Sequence, residues 1–94
     1  MIEVVLLAGA QADLLELYAR YTDSGYQRID QELELIRKMP EIAPFFAGRF
    51  RRRVVSGTPF GIFYAVVGSR VMVSAILDLR QDPAAVLRRL GAGS

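Results

Sequence analysis

Four arginines lie within five positions of the sequence, at Arg49, Arg51, Arg52 and Arg53. A guanidinium keeps its charge in proteins and donates several hydrogen bonds in one plane, so such a cluster suits a phosphate or a carboxylate. An apolar, aromatic run that reads as a strand follows at once. The pattern therefore indicates either a solvated strand end or a surface for an anionic partner.

The residue types that most often perform acid–base or metal chemistry are missing from the chain. It has no cysteine and no histidine, which excludes disulfides, thiolate or imidazole zinc sites, and a histidine proton shuttle. We predict no metal and no cofactor. The apolar start at residues 2–8 follows no basic segment and is too short to span a bilayer, so we expect a cytoplasmic protein without membrane contact.

The net charge of +2 hides a division between the two halves of the 94-residue chain. Residues 1–48 contain eight acids and four bases, and residues 49–94 contain two acids and eight bases, all arginine. The halves thus carry net charges of −4 and +6. This asymmetry favours a nucleic acid or an acidic peptide as a partner of the second half. It is equally compatible with arginine serving as the ordinary surface base of this chain.

Hydrophobic spacing predicts a strand and two helices in the first half. Residues 2–8 are rich in β-branched side chains, which favours a buried strand. Residues 10–23 carry apolar side chains at i, i+3, i+4 and i+7, and residues 26–39 form a second helix that a proline stops. Because the link between them is so short, we expect the two helices to form an antiparallel hairpin.

The second half predicts three strands and a short helix. Residues 40–48, with two prolines and a glycine, are expected to form a loop. Asp82 and Pro83 then begin a helix that ends at Leu90, and a Gly-Ser turn joins the last two strands. The strands are predicted at residues 50–56, 60–67 and 70–80.

The element order β-α-α-β-β-β-α predicts an α+β fold in a single domain, residues 1–94. Sequential hairpins make the sheet mainly antiparallel, with the helical hairpin covering one face. The opposite face of the last strand mixes apolar and charged side chains, so it is expected to be a working surface rather than core. Alternation places on the covered face Val71, Val73, Ala75, Leu77 and Leu79.

The segment RRVVSGTPFGIFYAVVGSRVMVSAILDLRQDP resembles the RelE/ParE family of toxins from type II toxin–antitoxin systems. The family pattern is a double arginine on a strand, a proline–aromatic turn, a tyrosine-bearing strand, a glycine-containing hairpin, and a strand that ends in a histidine-x-arginine-arginine-aspartate-proline motif. Their order and spacing, with a helical hairpin before them, imply the RelE/ParE fold. The matching residues are Arg52, Arg53, Pro59, Phe60, Phe63, Tyr64, Arg80, Asp82 and Pro83.

Two positions depart from the family motif. Asp78 occupies the histidine position and Gln81 the second arginine position. RelE-like members cut messenger RNA on the ribosome and need groups that transfer protons, whereas ParE-like members poison DNA gyrase and need no catalytic set. The resemblance with these departures implies a ParE-like inhibitor rather than an enzyme. A RelE-like endoribonuclease and a non-toxic toxin-fold binding protein remain the alternatives.

The resemblance also implies site residues for each activity. In the ribonuclease alternative, the catalytic residues are Arg52, Arg53, Tyr64 and Arg80. For the inhibitor, the expected target contacts are Arg51, Arg53, Asp78, Arg80, Arg88 and Arg89. Simpler interpretations are favoured for two of these residues, namely Tyr64 as a half-buried strand aromatic and Asp78 as the ion-pair partner of Arg80.

Strand alternation limits how the arginines can be used. Arg52 must point away from Arg51 and Arg53. At least one of these arginines therefore has to lie on the helix-covered face, where it must either escape at an edge or pair with an acid. We expect a salt bridge with the acidic second helix. The available acids are Asp30, Glu32 and Glu34.

A cognate antitoxin is the partner that the resemblance implies, because antitoxins of this family wrap their toxins with a helix and an extended segment. Exposed sheet edges and apolar grooves accept such segments. The candidates for antitoxin contact, each of which could instead be core, are Leu14, Tyr18, Tyr21, Phe45, Phe46 and Phe50. The implied protein is a cytoplasmic bacterial toxin of the plasmid-stabilisation kind that inhibits growth. Its target would be DNA gyrase, or ribosome-bound messenger RNA in the alternative, and a homodimer of the isolated chain stays open.

Overall fold

A computed structural model describes residues 1–20 and 24–93, and these fold into a five-stranded sheet with three helices. The α+β class is thus confirmed. The strands are β1 (Glu3–Leu6), β2 (Phe45–Ala47), β3 (Phe50–Val54), β4 (Phe60–Val67) and β5 (Arg70–Asp78). The helices are α1 (Ala8–Arg20), α2 (Ser24–Lys38) and α3 (Pro83–Gly93).

The strands form one mixed sheet in the order β1-β5-β4-β3-β2. The three pairs among β2, β3, β4 and β5 are antiparallel, and β1 runs parallel to β5 at one edge. The β4–β5 hairpin closes through the predicted two-residue turn, in which Gly68 has a φ of 60°. A type II′ turn requires such a positive φ at its first central position. The mainly antiparallel sheet is therefore confirmed.

The predicted loop at residues 40–48 contains a strand, β2, that the sequence did not reveal. β2 is three residues long and pairs with β3 across a turn at Gly48, where φ is 53°. The amide of Arg52 also donates a hydrogen bond to the carbonyl of Pro44 at 3.1 Å. Three residues carry too little pattern to predict a strand, so the neighbouring β3 determines this conformation.

The helical hairpin covers one sheet face and forms the larger of two cores. Ala10 and Leu17 of α1 and Ile29 and Ile36 of α2 are buried there against sheet residues such as Val73. In each helix the two buried residues are seven positions apart, so they share one face. Residues 21–23, in the predicted end of the first helix, lie outside the described residues. None of the helices in the described ranges is long and apolar enough to cross a membrane.

A bulge in β5 interrupts the strand alternation. The register passes from Phe63 opposite Ala75 to Tyr64 opposite Val73, so Ser74 has no partner of its own on β4. An extra residue on one strand shifts every side chain beyond it to the other face of the sheet.

The bulge makes part of the predicted face assignment wrong. Val71 and Val73 do pack under the helical hairpin, but Ala75 and Leu77 belong to a second apolar cluster on the opposite face. Ile76, which alternation placed on the working face, is 2% exposed in the larger core. The sequence of β5 alone does not indicate where the extra residue lies.

α3 covers part of the second face. Val86 and Leu90, four positions apart on one side of the helix, pack with Phe63 and Leu77 in the smaller cluster. The helix begins as predicted, since the side chain of Asp82 accepts a hydrogen bond from a first-turn amide at 3.1 Å. The second face is therefore partly core and partly surface, rather than the open surface that the sequence predicted.

The Asp13 carboxylate connects α1, β5 and α3. Its Oδ2 accepts hydrogen bonds from the backbone amide of Ile76 at 3.0 Å and from Arg89 Nη2 at 2.8 Å. Ile76 lies beyond Val73, the last β5 residue that pairs with β1. The carboxylate thus supplies an acceptor for the edge of β5 where the strand partner has ended.

Replacing Asp13 by alanine should destabilise the fold, because the Ile76 amide and the Arg89 guanidinium lose a shared acceptor that is only 12% exposed. We expect the free energy of unfolding, measured by urea denaturation, to fall by about 1–3 kcal/mol. Glu16→Ala on the same helix is the control. Its pair with Arg20 is exposed, so the change should stay within about 0.5 kcal/mol. Equal losses in the two variants would contradict a joining role for Asp13.

Candidate functional site

β3 places its three consecutive arginines on alternate faces of the sheet, as predicted. Arg51 lies opposite Tyr64 and Arg53 opposite Ile62, and both of these β4 residues belong to the core under the helical hairpin. Arg52 lies opposite Phe63, which belongs to the cluster on the other face. The tract therefore does not form one continuous arginine surface.

Arg53 is joined to the helical hairpin by a salt bridge. Its Nε donates a hydrogen bond to Glu32 Oε2 at 2.6 Å, and the two side chains are 31% and 16% exposed. This is the expected pairing between the arginine tract and the acidic second helix. Arg53 thus fixes α2 to β3, and its guanidinium already has a carboxylate partner.

Arg51 holds the segment between α2 and β2 against the sheet. Its Nη1 donates a hydrogen bond to the carbonyl of Ala43 at 2.7 Å, and its guanidinium carbon lies 4.0 Å from the centre of the Phe45 ring. A cation over an aromatic face is stabilised by the ring quadrupole. Arg51 therefore has a structural role, although its side chain is only half-buried and lies beside an exposed ring.

Arg52 lies over an aromatic pair on the second face. Its guanidinium carbon is 5.0 Å from the centre of the Phe46 ring, and that ring meets Phe63 edge to face at 5.2 Å. Arg49, in the turn before β3, lies 5.5 Å from the ring of Phe50. Aromatic stacking orients these two guanidiniums and leaves their in-plane donors available for an anion.

Tyr64 is fully buried, which corrects its prediction as a half-buried aromatic. The side chain is 0% exposed, and its hydroxyl donates a hydrogen bond to the carbonyl of Pro40 at 2.7 Å. Burial raises the pKa of the phenol. The hydroxyl therefore forms an internal hydrogen bond that holds the segment after α2 against β4.

Asp78 is the ion-pair partner of Arg80, as predicted. Its Oδ2 accepts a hydrogen bond from Arg80 Nη2 at 2.6 Å, and its Oδ1 accepts one from the Arg80 amide at 2.9 Å. The side-chain bond and then the amide bond hold the pKa of Asp78 at about 2. The carboxylate therefore stays ionised at neutral pH, while the Arg80 side chain is 71% exposed.

The two arginines predicted on the last helix have different environments. Arg89 donates to Asp13 and is 34% exposed, so it serves the junction described above. Arg88 is exposed. The predicted target residues are thus distributed between structural pairs and surface, and they are not gathered at one place.

The residues predicted for antitoxin contact divide between the two edges of the sheet. Leu14 and Tyr18 line a groove of about 240 Å³ beside β1, together with Leu6, Gln11 and the exposed Leu15. Tyr21 lies outside the described residues. At the opposite edge, Phe45 is 62% exposed. Phe46 and Phe50 pack with the smaller cluster.

Sequence reasoning missed a second groove, of about 330 Å³, on the face that carries Arg52. It is lined by Arg49 and Arg70 and by apolar side chains that include Phe50 and Met72. A signal for it exists in the sequence, since residues 42–77 contain five arginines and no acid. The strand register was needed to show which of the five share a face.

Comparison with known proteins supports the fold. No family model matches the chain, and no curated protein sequence matches it. Among solved structures, the chain is similar to one described as the chromosomal ParDE toxin–antitoxin system from P. aeruginosa. The TM-score is 0.57 at 18% sequence identity, over 81% of this chain and 94% of that chain. At this identity the similarity is one of fold, and it confirms the RelE/ParE-like arrangement predicted from the motifs.

The Asp78–Arg80 pair predicts the acid titration of this carboxyl group. We expect its NMR-detected pKa at about 2, and Arg80→Gln should raise it toward the ordinary value of about 3.9. A carboxyl group whose pKa is lower in the folded state than in the unfolded state stabilises the fold at pH values above the unfolded pKa. That contribution is lost as pH falls through the folded pKa, here from about 4 to about 2. Arg70→Gln, at the opposite end of β5, should leave the Asp78 titration unchanged. An ordinary pKa in the unsubstituted protein would show that the pair does not form in solution.

Proposed function

We propose that this protein is the toxin of a type II toxin–antitoxin system and that it acts in the ParE-like manner, by binding DNA gyrase. The RelE/ParE-like fold supports the general assignment. The observation that carries the choice of mechanism is the state of Tyr64, whose hydroxyl is bonded inside the core. A binding inhibitor needs no proton donor at this position, whereas a ribonuclease does.

The remaining groups also favour binding over RNA cleavage. Cleavage without a metal needs a base for the 2′-hydroxyl, cations for the phosphorane and an acid for the leaving oxygen. Arginine can supply only the cations. Asp78 is a weak base with its pKa held near 2, and Arg52 and Arg53 face opposite sides of the sheet. The residues of the ribonuclease alternative therefore do not converge on one substrate.

Target contact is proposed for the exposed members of the predicted set. Arg80 and Arg88 are exposed, and Arg51 is half-buried beside an exposed aromatic ring. Arg53 and Arg89 have partly buried carboxylate partners, so their role is to hold helices to the sheet. Asp78 orients Arg80, because the Asp78 carboxylate accepts hydrogen bonds from Nε and Nη2 of the arginine. Binding by these residues would depend on salt because their charges are exposed.

The groove beside β1 is the proposed antitoxin site. β1 is an edge strand, and the groove next to it exposes Leu15 together with Leu14 and Tyr18 of α1. An edge strand can accept an added strand, and an apolar groove can accept the apolar side of a helix. An antitoxin segment of mixed helical and extended structure would use both features.

Inducing the protein alone in a bacterial host tests the mechanism. We expect growth arrest with an SOS response and gyrase–DNA cleavage complexes, and Tyr64→Phe should retain this activity because it removes only an internal hydrogen bond. Truncated messages on ribosomes, lost in Tyr64→Phe at unchanged protein level, would support the ribonuclease instead. Growth without arrest at normal expression would favour the non-toxic alternative.

A pair of exposed leucines tests the antitoxin site. Coexpression with the cognate antitoxin should restore growth. Leu15→Arg should reduce that rescue because it places a charge in the apolar groove. Leu87→Arg on α3 is the matched control, since Leu15 and Leu87 are 67% and 49% exposed on helices. Rescue that survives Leu15→Arg and fails with Leu87→Arg would move the site to α3.

A further inference from the structure

The sheet face opposite the helical hairpin concentrates positive charge. Arg49, Arg52 and Arg70 share this face, which we call the basic face, with Arg49 and Arg70 lining one groove. Residues 42–77, which include β2, β3, β4 and nearly all of β5, contain no acid, and α3 contains none. Acids are instead concentrated in α1 and α2, which cover the opposite face.

Two of the three arginines of the basic face have no internal ion pair among the described residues, and the pair of the third is exposed. Within residues 1–20 and 24–93, no carboxylate lies within salt-bridge distance of Arg49 or Arg52, which are stacked on aromatic rings. Arg70 contacts Glu3 at 3.2 Å, but both side chains are more than 60% exposed. Such an exposed pair is weak, so an anionic ligand can replace the carboxylate.

The arrangement of the arginines fits a broad, rigid polyanion. Arg52 is on β3 and Arg70 on β5, with β4 between them. Two strand spacings of about 4.8 Å separate the backbones of β3 and β5 by about 10 Å. Charge is thus spread across the sheet as well as along it, whereas an extended acidic peptide would need it along one line.

The aromatic residues of the basic face do not offer a stacking platform for unpaired bases. Phe63 is 0% exposed and Phe50 is 9% exposed. Phe46 is half-buried with Arg52 over its ring. Recognition of single strands relies on open aromatic faces, so this surface favours a backbone whose bases are already paired.

We propose that the basic face binds the phosphate backbone of double-stranded DNA without sequence preference, through Arg49, Arg52 and Arg70. This contact goes beyond the proposed toxin activity and does not depend on it. The guanidiniums donate to phosphate oxygens, and the bound counterions of the duplex are released. Since about three phosphates are contacted, binding is weak, with a Kd of about 10⁻⁴ to 10⁻⁶ M at physiological salt.

Fluorescence anisotropy with a labelled 20-base-pair duplex, at several salt concentrations, tests the proposal. Log K should fall with log salt with a slope of about −2.7, which corresponds to three phosphates. Each of Arg49→Gln and Arg52→Gln should weaken binding to unrelated duplexes equally and reduce the slope by about 1. Circular dichroism and urea unfolding would verify that the variants remain folded.

Two further variants make the test specific to this face. Arg20→Gln removes the same charge from an exposed position on α1, and it should leave the slope unchanged. Glu3→Gln removes the carboxylate beside Arg70, and it should tighten duplex binding. A general effect of net charge would also give opposite signs for Arg52→Gln and Glu3→Gln, so local contact is identified by the difference between Arg52→Gln and Arg20→Gln, which remove the same charge.

Several outcomes would overturn the proposal. If Arg20→Gln and Arg52→Gln lost affinity equally, the duplex would be attracted by the net charge of the protein and not bound by the basic face. Tighter binding of the single-stranded 20-mer than of the duplex would exclude paired-backbone recognition. Tighter binding of a poly-glutamate peptide of equal charge would identify the face as a site for an acidic protein segment.

Discussion

The alternation of side chains along β3 is the constraint on which the arrangement of the surfaces depends. Three consecutive arginines on one strand cannot share a face, so Arg51 and Arg53 meet the layer of helices and Arg52 meets the opposite layer. Arg53 forms a salt bridge with Glu32. Arg51 donates a hydrogen bond to a backbone carbonyl and stacks on the ring of Phe45. A single basic tract thus stabilises the helical hairpin and also supplies charge to the basic face.

The end of β1 creates a second constraint, because β5 continues beyond its strand partner. Asp13 supplies the acceptor there and also binds Arg89, so one carboxylate fixes the positions of α1 and α3 on β5. The bulge at Ser74 lies close to this point and changes which β5 side chains enter each core. The assignment of β5 side chains to the two apolar clusters follows from this bulge.

The result is a domain with different chemistry on its two faces. Acidic helices cover one face, and the other face combines arginines with a partial helical cover. Separated charge of this kind steers partners of opposite sign to different surfaces. The same distribution explains why the small net charge of +2 is a poor guide to binding. The apolar groove beside β1 adds a third surface that does not depend on charge, so one small domain has room for more than one macromolecular contact.

The sequence by itself determined the features that depend on near neighbours in the chain. These include the helices, the β4–β5 turn, the alternation of the arginines and the Asp78–Arg80 pair, whose partners are two positions apart. It also predicted a salt bridge between one arginine of the tract and an acid of α2. Only the tertiary structure decided the strand β2, the bulge at Ser74, the burial of the Tyr64 hydroxyl and the role of Asp13. The first two depend on the register between strands, and the last two depend on pairing between distant residues, such as Asp13 and Arg89 at a separation of 76 positions. Such contacts leave no local periodicity, because chain folding brings the partners together.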